Sequence, residues 1–221
     1  MGHKAFSLTL VFYEEGDPLS LILAIFTLAP LFIVGGFVAA LIVRRELQML
    51  YFFIGQLLNE VFNMVLKKVI REPRPPGAGK LGKTSYGMPS DHAQFMFFFA
   101  MFVTLLTLTK RISFPNKFVR AGVISSVYLL SVIVAYSRIY LGLHTWPQII
   151  AGGIIGSITG AVYFYLLHVL ASSFIRQHIS KRILDHPLSR VFYIIDVSMI
   201  KGDLMEEEYN LWLRLADRKK K

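Results

Sequence analysis

Apolar residues run through this chain in stretches too long for the alternating faces of soluble elements, and the polar residues gather in the gaps between them. A helix crosses the hydrocarbon of a bilayer with ~20 mostly apolar residues. Five stretches approach that length: Leu19–Val43, Leu47–Leu66, Ala93–Leu108, Ala121–Leu141 and Gln148–Phe174. The pattern predicts an all-α fold, a polytopic membrane helical bundle of about five transmembrane helices. Pro30 is expected to kink the first, because proline removes a helix hydrogen bond. Residues 1–182 form the membrane-embedded domain in this reading, and residues 183–221 a short tail. In the tail, Val191–Ile195 is too short to span and Asp196 closes it. Glu206–Arg218 sets Tyr209, Trp212 and Leu215 at helical spacing, which suits an amphipathic helix at the membrane interface or one packed on the end of the bundle. No internal repeat of the kind that builds inverted-repeat transporters is evident.

Charge gives the bundle two distinct ends. The chain of 221 residues is 54% hydrophobic yet carries a net charge of +10. Its basic residues flank apolar runs and form no stripe, so nucleic acid is not an expected partner. With the N-terminus on side A, alternation puts the 67–92 loop and the turn around His144 on side A as well. The loops after the first and third spans and the tail then share side B. Of the 24 Lys and Arg, 16 fall on side B, among them Arg44, Arg45, Lys110, Arg111, Lys117, Arg120 and Lys219–Lys221. The positive-inside rule makes side B, with the C-terminus, cytoplasmic and side A lumenal or extracytoplasmic. The polar segment Met1–Pro18, with Glu14, Glu15 and Asp17, does not resemble a cleavable signal peptide. The absence of cysteine excludes disulfides, a thiol nucleophile and cysteine-ligated zinc.

Three polar clusters border span ends, and all three fall on side A. Lys67 closes the second span and is followed by Lys68, Arg71 and Pro73-Arg74-Pro75-Pro76, where the prolines end the helix and hold the chain extended. Arg74 can then turn back towards Lys67, although each such cation could equally be a snorkelling interface charge. Gly87-Met88-Pro89-Ser90-Asp91-His92 precedes the third span. Ser90 or Asp91 is a candidate N-cap there, and the free backbone N–H groups of a helix start make an anion site. His92 stands at its rim, able to pass a proton near neutral pH. The third cluster is Ser137-Arg138, then His144 and Gln148. The planar fork of Arg138 suits phosphate. Gln148 lies one helical turn from His144, where its amide oxygen could hold one imidazole N–H and leave the other nitrogen free to attack. Asn59, Glu60 and Asn63 lie inside the second span, as interhelical glue or as support for Lys67. His168 in the fifth span is expected to pack.

Together, Lys-x6-Arg-Pro, Pro-Ser-x-His and Ser-Arg-x5-His resemble the tripartite signature of the type 2 phosphatidic acid phosphatase superfamily, over about residues 60–150. The resemblance implies a metal-independent membrane phosphatase with no cofactor. In it Lys67, Arg74, Ser90 and Arg138 bind phosphate, His144 is the nucleophile that forms a phosphohistidine and His92 is the general acid; Asp91, between Ser90 and His92, is counted with the phosphate-binding residues and Gln148 with the catalytic ones. The family pattern has an Asp where this chain has Gln148. That substitution, with Arg45-Glu46-Leu47, Leu58-Asn59-Glu60 and Tyr86-Gly87-Met88-Pro89-Ser90, resembles the dolichyl-diphosphatase branch. The implied substrate is a polyisoprenoid lipid diphosphate, dolichyl diphosphate, hydrolysed among membrane lipids on the lumenal face of the endoplasmic reticulum to recycle the carrier of N-glycosylation. The alternatives are a phosphatase for another lipid phosphate, such as phosphatidate or a sphingoid phosphate, and a non-catalytic lipid-phosphate binder or transporter.

A lipid monophosphate leaves far more readily than an alkoxide, so a diphosphate substrate tolerates the weaker support that a neutral Gln148 offers His144. A Gln148→Asp variant is therefore expected to shift preference from dolichyl diphosphate towards dolichyl phosphate. Unchanged relative kcat/KM for the two lipids would disprove the link.

Overall fold

The computed structural model describes residues 13–76, 78, 86–109, 114–170, 173–196 and 204–218. Lys110, Arg111 and Lys219–Lys221, counted above on side B, lie outside the described residues, as does the segment before Tyr13. The described elements are helices. Asp17 caps α1 (Pro18–Phe26) by accepting from the Leu19 N–H at 2.9 Å. The helix breaks at Thr27–Leu28 and resumes as α2 (Ala29–Val43). Pro30 sits in the first turn of α2, where its missing N–H costs nothing, so the expected kink takes the form of a complete break. Then come α3 (Leu47–Ile70), α4 (Asp91–Leu108), α5 (Lys117–Tyr140) and α6 (Trp146–Tyr165). With α1 and α2 taken as one, five helical segments are long and apolar enough to cross a membrane.

The fifth span is shorter than the pattern suggested. It closes in a π-helical turn at Leu166–Leu170, and a separate helix, α7 (Ser173–Asp185), takes up Phe174. His168 lies in that turn with its ring 4.6 Å from Phe164. The tail continues through α8 (Pro187–Val191), of five residues, and α9 (Leu204–Arg218), where Tyr209 and Trp212 stack 5.9 Å apart with their side chains exposed. The boundary drawn at residue 182 falls inside α7.

Half of the α4 span is buried inside the bundle, more than in any other span. Its aromatic residues tie the others together: Phe52 of α3 stacks on Phe102 at 4.2 Å and meets Phe37 of α2 edge-on at 4.8 Å, and Phe164 of α6 meets Phe102 edge-on at 5.6 Å. One stripe of α6 presents Gly152, Gly156 and Gly160 to α4 and ends at Phe164. A Cβ at Gly152 would lie 2.6 Å from the Ser90 carbonyl oxygen and one at Gly160 3.0 Å from that of Phe98, and at Gly156 it would run into the Gln94 carbonyl. Lipid tails are as apolar as leucine, so membrane helices gain by such close backbone approach rather than by apolar burial alone.

A buried polar chain crosses the same contact. Gln94 donates to Asn59 Oδ1 at 2.9 Å and accepts from Asn63 at 2.8 Å, and Thr159 of α6 donates to Asn59 Oδ1 at 3.0 Å. Asn59 and Asn63 are thus interhelical glue. Asn63 also reaches the Pro89 carbonyl at 3.4 Å, one turn before Lys67 on the same helix.

The two ends of the bundle differ as the alternation requires. At one end the tail pairs with the link between α2 and α3 through Leu47 N–H to Ile195 O (3.0 Å) and Ile195 N–H to Arg45 O (2.9 Å). At the other, Tyr140 at the end of α5 donates to Asp17 Oδ2 at 2.7 Å.

Candidate active site

The three clusters meet at the Tyr140 end. Arg71 terminates α3 in a left-handed conformation (φ 55°), donating its N–H to Lys67 O at 3.0 Å. Pro73 and Pro75 then keep the chain extended, which brings Arg74 back over the bundle. The segment before α4 is pinned twice, by Gly87 N–H to Glu72 O (2.8 Å) and by Ser90 N–H to Gln148 O (3.0 Å). After α5 the chain reverses at Gly142 (φ 64°), and Leu143 and His144 both donate backbone N–H to Arg138 O. Thr145 is the N-cap residue of α6, so His144 stands immediately before a helix start, as its spacing to Gln148 required.

His144 is buried, with both ring nitrogens engaged. Arg74 Nη1 lies 2.7 Å from Nε2 and also donates to Leu143 O at 3.0 Å, while Gln148 Oε1 lies 3.1 Å from Nδ1. A guanidinium only donates, so Nε2 bears the lone pair and Nδ1 the hydrogen. Burial lowers the His144 pKa below its ordinary value. The Asp91 carboxylate opposes the shift, and the Arg74 and Arg138 guanidinium groups reinforce it. His144 is therefore a neutral imidazole at neutral pH, with its lone-pair nitrogen against Arg74.

Asp91 lies where those residues converge. Its Oδ1 is 3.6 Å from Lys67 Nζ and 3.4 Å from His144 Nε2, and its Oδ2 is 3.5 Å from His92 Nδ1. It is the first residue of α4 rather than its cap. Ser90 holds the cap position, yet its hydroxyl makes no capping bond. Among the described residues Ser90 Oγ, Arg138 Nε and Asp91 Oδ1 are buried polar atoms without a hydrogen-bond partner. Leaving such an atom unsatisfied costs roughly 1–3 kcal/mol. Two of the three are donors beside the unpaired N–H groups of the first turn of α4, an arrangement that an anion with several oxygens would satisfy at once.

All the residues expected at the site are thus brought together: Lys67, Arg74, Ser90, Asp91, His92, Arg138, His144 and Gln148. Two features escaped the sequence reading. Asp91 faces the histidines and Lys67 directly, and the Gln148 amide is held from its far side by Glu72 Oε1 (2.8 Å) and Pro73 O (2.9 Å). The signal for the second was a carboxylate beside a proline that fixes its backbone, in Arg71-Glu72-Pro73-Arg74.

An apolar groove of about 540 Å³ lies between α5 and α6 and over Phe97 of α4, beginning at Trp146, two residues after His144. Trp146, Ile150, Ile154 and Ile158 line its α6 side, and Val132, Ala135 and Tyr136 its α5 side. From Trp146 to Ile158 it follows α6 for about 18 Å at 1.5 Å per residue.

Comparison with known proteins places the geometry in a family. Residues 48–172 match the PAP2 superfamily. Dolichyldiphosphatase 1 of Dictyostelium discoideum is 39% identical over 202 residues, covering 91% of this chain and 86% of that protein. Dolichyldiphosphatase 1 of Homo sapiens is 37% identical over 208 residues (91% and 85%), and the Dolichyldiphosphatase of Saccharomyces cerevisiae 33% over 219 residues (95% and 88%). No solved structure matches the chain. The matched segment runs from α3 through α6 and contains every residue of the site described above, and on that ground the protein belongs to the PAP2 superfamily.

Proposed function

We propose that the protein is a lipid diphosphate phosphatase that hydrolyses dolichyl diphosphate to dolichyl phosphate and inorganic phosphate through a phosphohistidine on His144. The observation that carries this reading is the neutral, buried imidazole of His144, its Nε2 lone pair facing Lys67, Arg74, Arg138 and the start of α4. The names of the relatives support the substrate.

The terminal phosphoryl group takes the position that the Asp91 carboxylate now borders. Lys67, Arg74, Arg138, Ser90 Oγ and the first N–H groups of α4 receive its oxygens, so the charge of the transition state meets preorganised donors. Arg74 moves from Nε2 to a phosphoryl oxygen, which frees the lone pair. Nε2 then forms a bond to phosphorus as the bridging P–O bond breaks, and His92 gives its proton to the departing lipid phosphate. His92, oriented by Asp91, next takes a proton from water, which attacks the phosphohistidine and releases phosphate. The isoprenoid tail lies in the groove between α5 and α6, which begins at Trp146, two residues from the nucleophile. The excess of basic residues at the opposite end supports a lumenal site and a cytoplasmic tail, and with the relatives it supports the endoplasmic reticulum and dolichol recycling for N-glycosylation.

Purified protein, assayed for phosphate release with a chelator present, is expected to prefer dolichyl diphosphate over dolichyl phosphate and phosphatidate. His144→Ala should abolish release, and His92→Ala should slow it by ~10²–10⁴-fold. Equal activity on all three lipids would discard the substrate, and none on any would discard the enzyme.

Protonation of His144 removes the lone pair, and its pKa lies below the ordinary 6.5. The acid limb of kcat/KM should therefore fall below pH 6.5; a limb above that value would contradict the neutral nucleophile. Gly153→Leu, whose side chain projects into the groove beside Phe97, should raise KM for dolichyl diphosphate several-fold with kcat little changed. Isopentenyl diphosphate, whose chain ends before Gly153, should be unaffected. An equal effect on both substrates would remove the tail from the groove.

A further inference from the structure

The family's carboxylate behind the nucleophilic histidine is replaced in this chain by Gln148, yet a carboxylate is present one hydrogen bond further out. We propose that Glu72 is a positioning residue that acts through Gln148 to set the tautomer of His144 and to stabilise its cationic form. The inference rests on His144 being the nucleophile.

The argument starts from the Gln148 amide, which is fully buried. Its Nε2 has two acceptors within reach, Glu72 Oε1 at 2.8 Å and Pro73 O at 2.9 Å. Its Oε1 has two donors, the His144 ring at Nδ1 (3.1 Å) and the Thr145 N–H (3.3 Å). Rotating the amide by half a turn would set oxygen against a carboxylate and a carbonyl, and NH₂ against an N–H donor. The environment therefore admits one orientation. With Oε1 towards the ring, Nδ1 must carry the hydrogen and Nε2 the lone pair. An isolated glutamine could serve His144 with either end, and the acceptors at residues 72 and 73 remove that choice.

Glu72 is itself held in place. The left-handed turn at Arg71 delivers it, Pro73 restricts its backbone to extended conformations, and its carbonyl takes the Gly87 N–H at 2.8 Å. Gly87 in turn packs on Gln148, where a Cβ would lie 2.6 Å from the amide. Gly87 thus covers the amide and limits its access to water.

Charge supplies the second part of the role. When Nε2 bonds to phosphorus, the ring becomes a phosphoryl-imidazolium with its hydrogen still on Nδ1. A neutral amide alone offers this cation a dipole. An amide hydrogen-bonded to a carboxylate is polarised by it, and such chains strengthen one another in a low-dielectric site. The cation is then stabilised more than by a neutral amide alone, though less than by a direct Asp, with the carboxylate kept one residue away from the incoming phosphate.

Glu72→Gln keeps an acceptor oxygen for Gln148 and removes only the charge, so a purely structural tether would survive it. In the purified full-length protein with dolichyl diphosphate, Glu72→Gln is expected to lower kcat about 10–100-fold without raising KM. Gln148→Asp alone sets a second carboxylate against Glu72 and the Pro73 carbonyl and should also be impaired. The double variant Gln148→Asp/Glu72→Gln places the carboxylate on His144 and the amide behind it, and should recover activity above either single variant. Loss of the carboxylate also disfavours the imidazolium. In lipid-free protein, the His144 titration followed by imidazole nitrogen shifts should therefore move to lower pH in Glu72→Gln, with Asp91, Arg74, Arg138, Lys67 and His92 unchanged around it. Parental kcat in Glu72→Gln, a double variant no better than the singles, or an unmoved titration would each overturn the role of Glu72. The titration needs no turnover, so a parent protein that hydrolyses no lipid would refute the proposed function separately.

Discussion

The contact between α4 and α6 is the constraint on which the site depends. One helix begins with Ser90-Asp91-His92 and the other follows His144, so the two histidines face one substrate only if the helix starts lie side by side. Gly152, Gly156 and Gly160 permit this, because a Cβ at each would collide with or crowd a backbone carbonyl of Ser90, Gln94 or Phe98. The hydrogen bond from Ser90 N–H to Gln148 O then sets their register at the membrane end. Deeper in the bilayer, where an unsatisfied polar group costs several kcal/mol, the Asn59–Gln94–Thr159 chain carries the register through α3.

Around that contact the electrostatics are arranged for an anion. Lys67, Arg74 and Arg138 approach from three separate segments, and two buried donors, Ser90 Oγ and Arg138 Nε, have no partner among the described residues. Asp91 moderates the mutual repulsion of these cations, which otherwise would oppose assembly of the pocket. Its carboxylate lies near the histidines rather than in the middle of a bonded network, since its Oδ1 has ion-pair neighbours at 3.4 and 3.6 Å but no hydrogen bond. Such a group holds the cations together at modest cost, and in the proposed reaction it gives way to a phosphoryl group of greater charge.

The apolar groove and the polar site are two consequences of one geometry. Where α6 hugs α4 through its glycines, it stands away from α5, and the gap left between Tyr136 and Ile150 begins at Trp146, two residues from His144. A substrate with a phosphate head and a hydrocarbon tail needs these two environments joined at the membrane surface, and the joint lies at Trp146.

Much of this was legible in the chain itself. Five continuous apolar stretches of helix-spanning length dictated a helical bundle, because a helix of that length crosses the hydrocarbon with its backbone bonded within itself. Alternation of loops put Lys67, Arg74, His92, Arg138 and His144 at one end, and the four-residue spacing of His144 and Gln148 put them on one helical turn. Local rules misjudged the far end of the fifth span, where the π-helical turn at Leu166–Leu170 stops a run that hydrophobicity alone would carry to Phe174. They left Ser90 and Asp91 as alternative caps, since either residue type serves at a helix start, and it is Ser90 that holds the cap position. Tertiary structure alone decided that Asp91 faces the histidines and that Glu72 lies behind Gln148. The reason is physical: helix periodicity and membrane crossing are set by neighbours in sequence, whereas a hydrogen bond between residues 76 positions apart exists only after α3, α4 and α6 have packed.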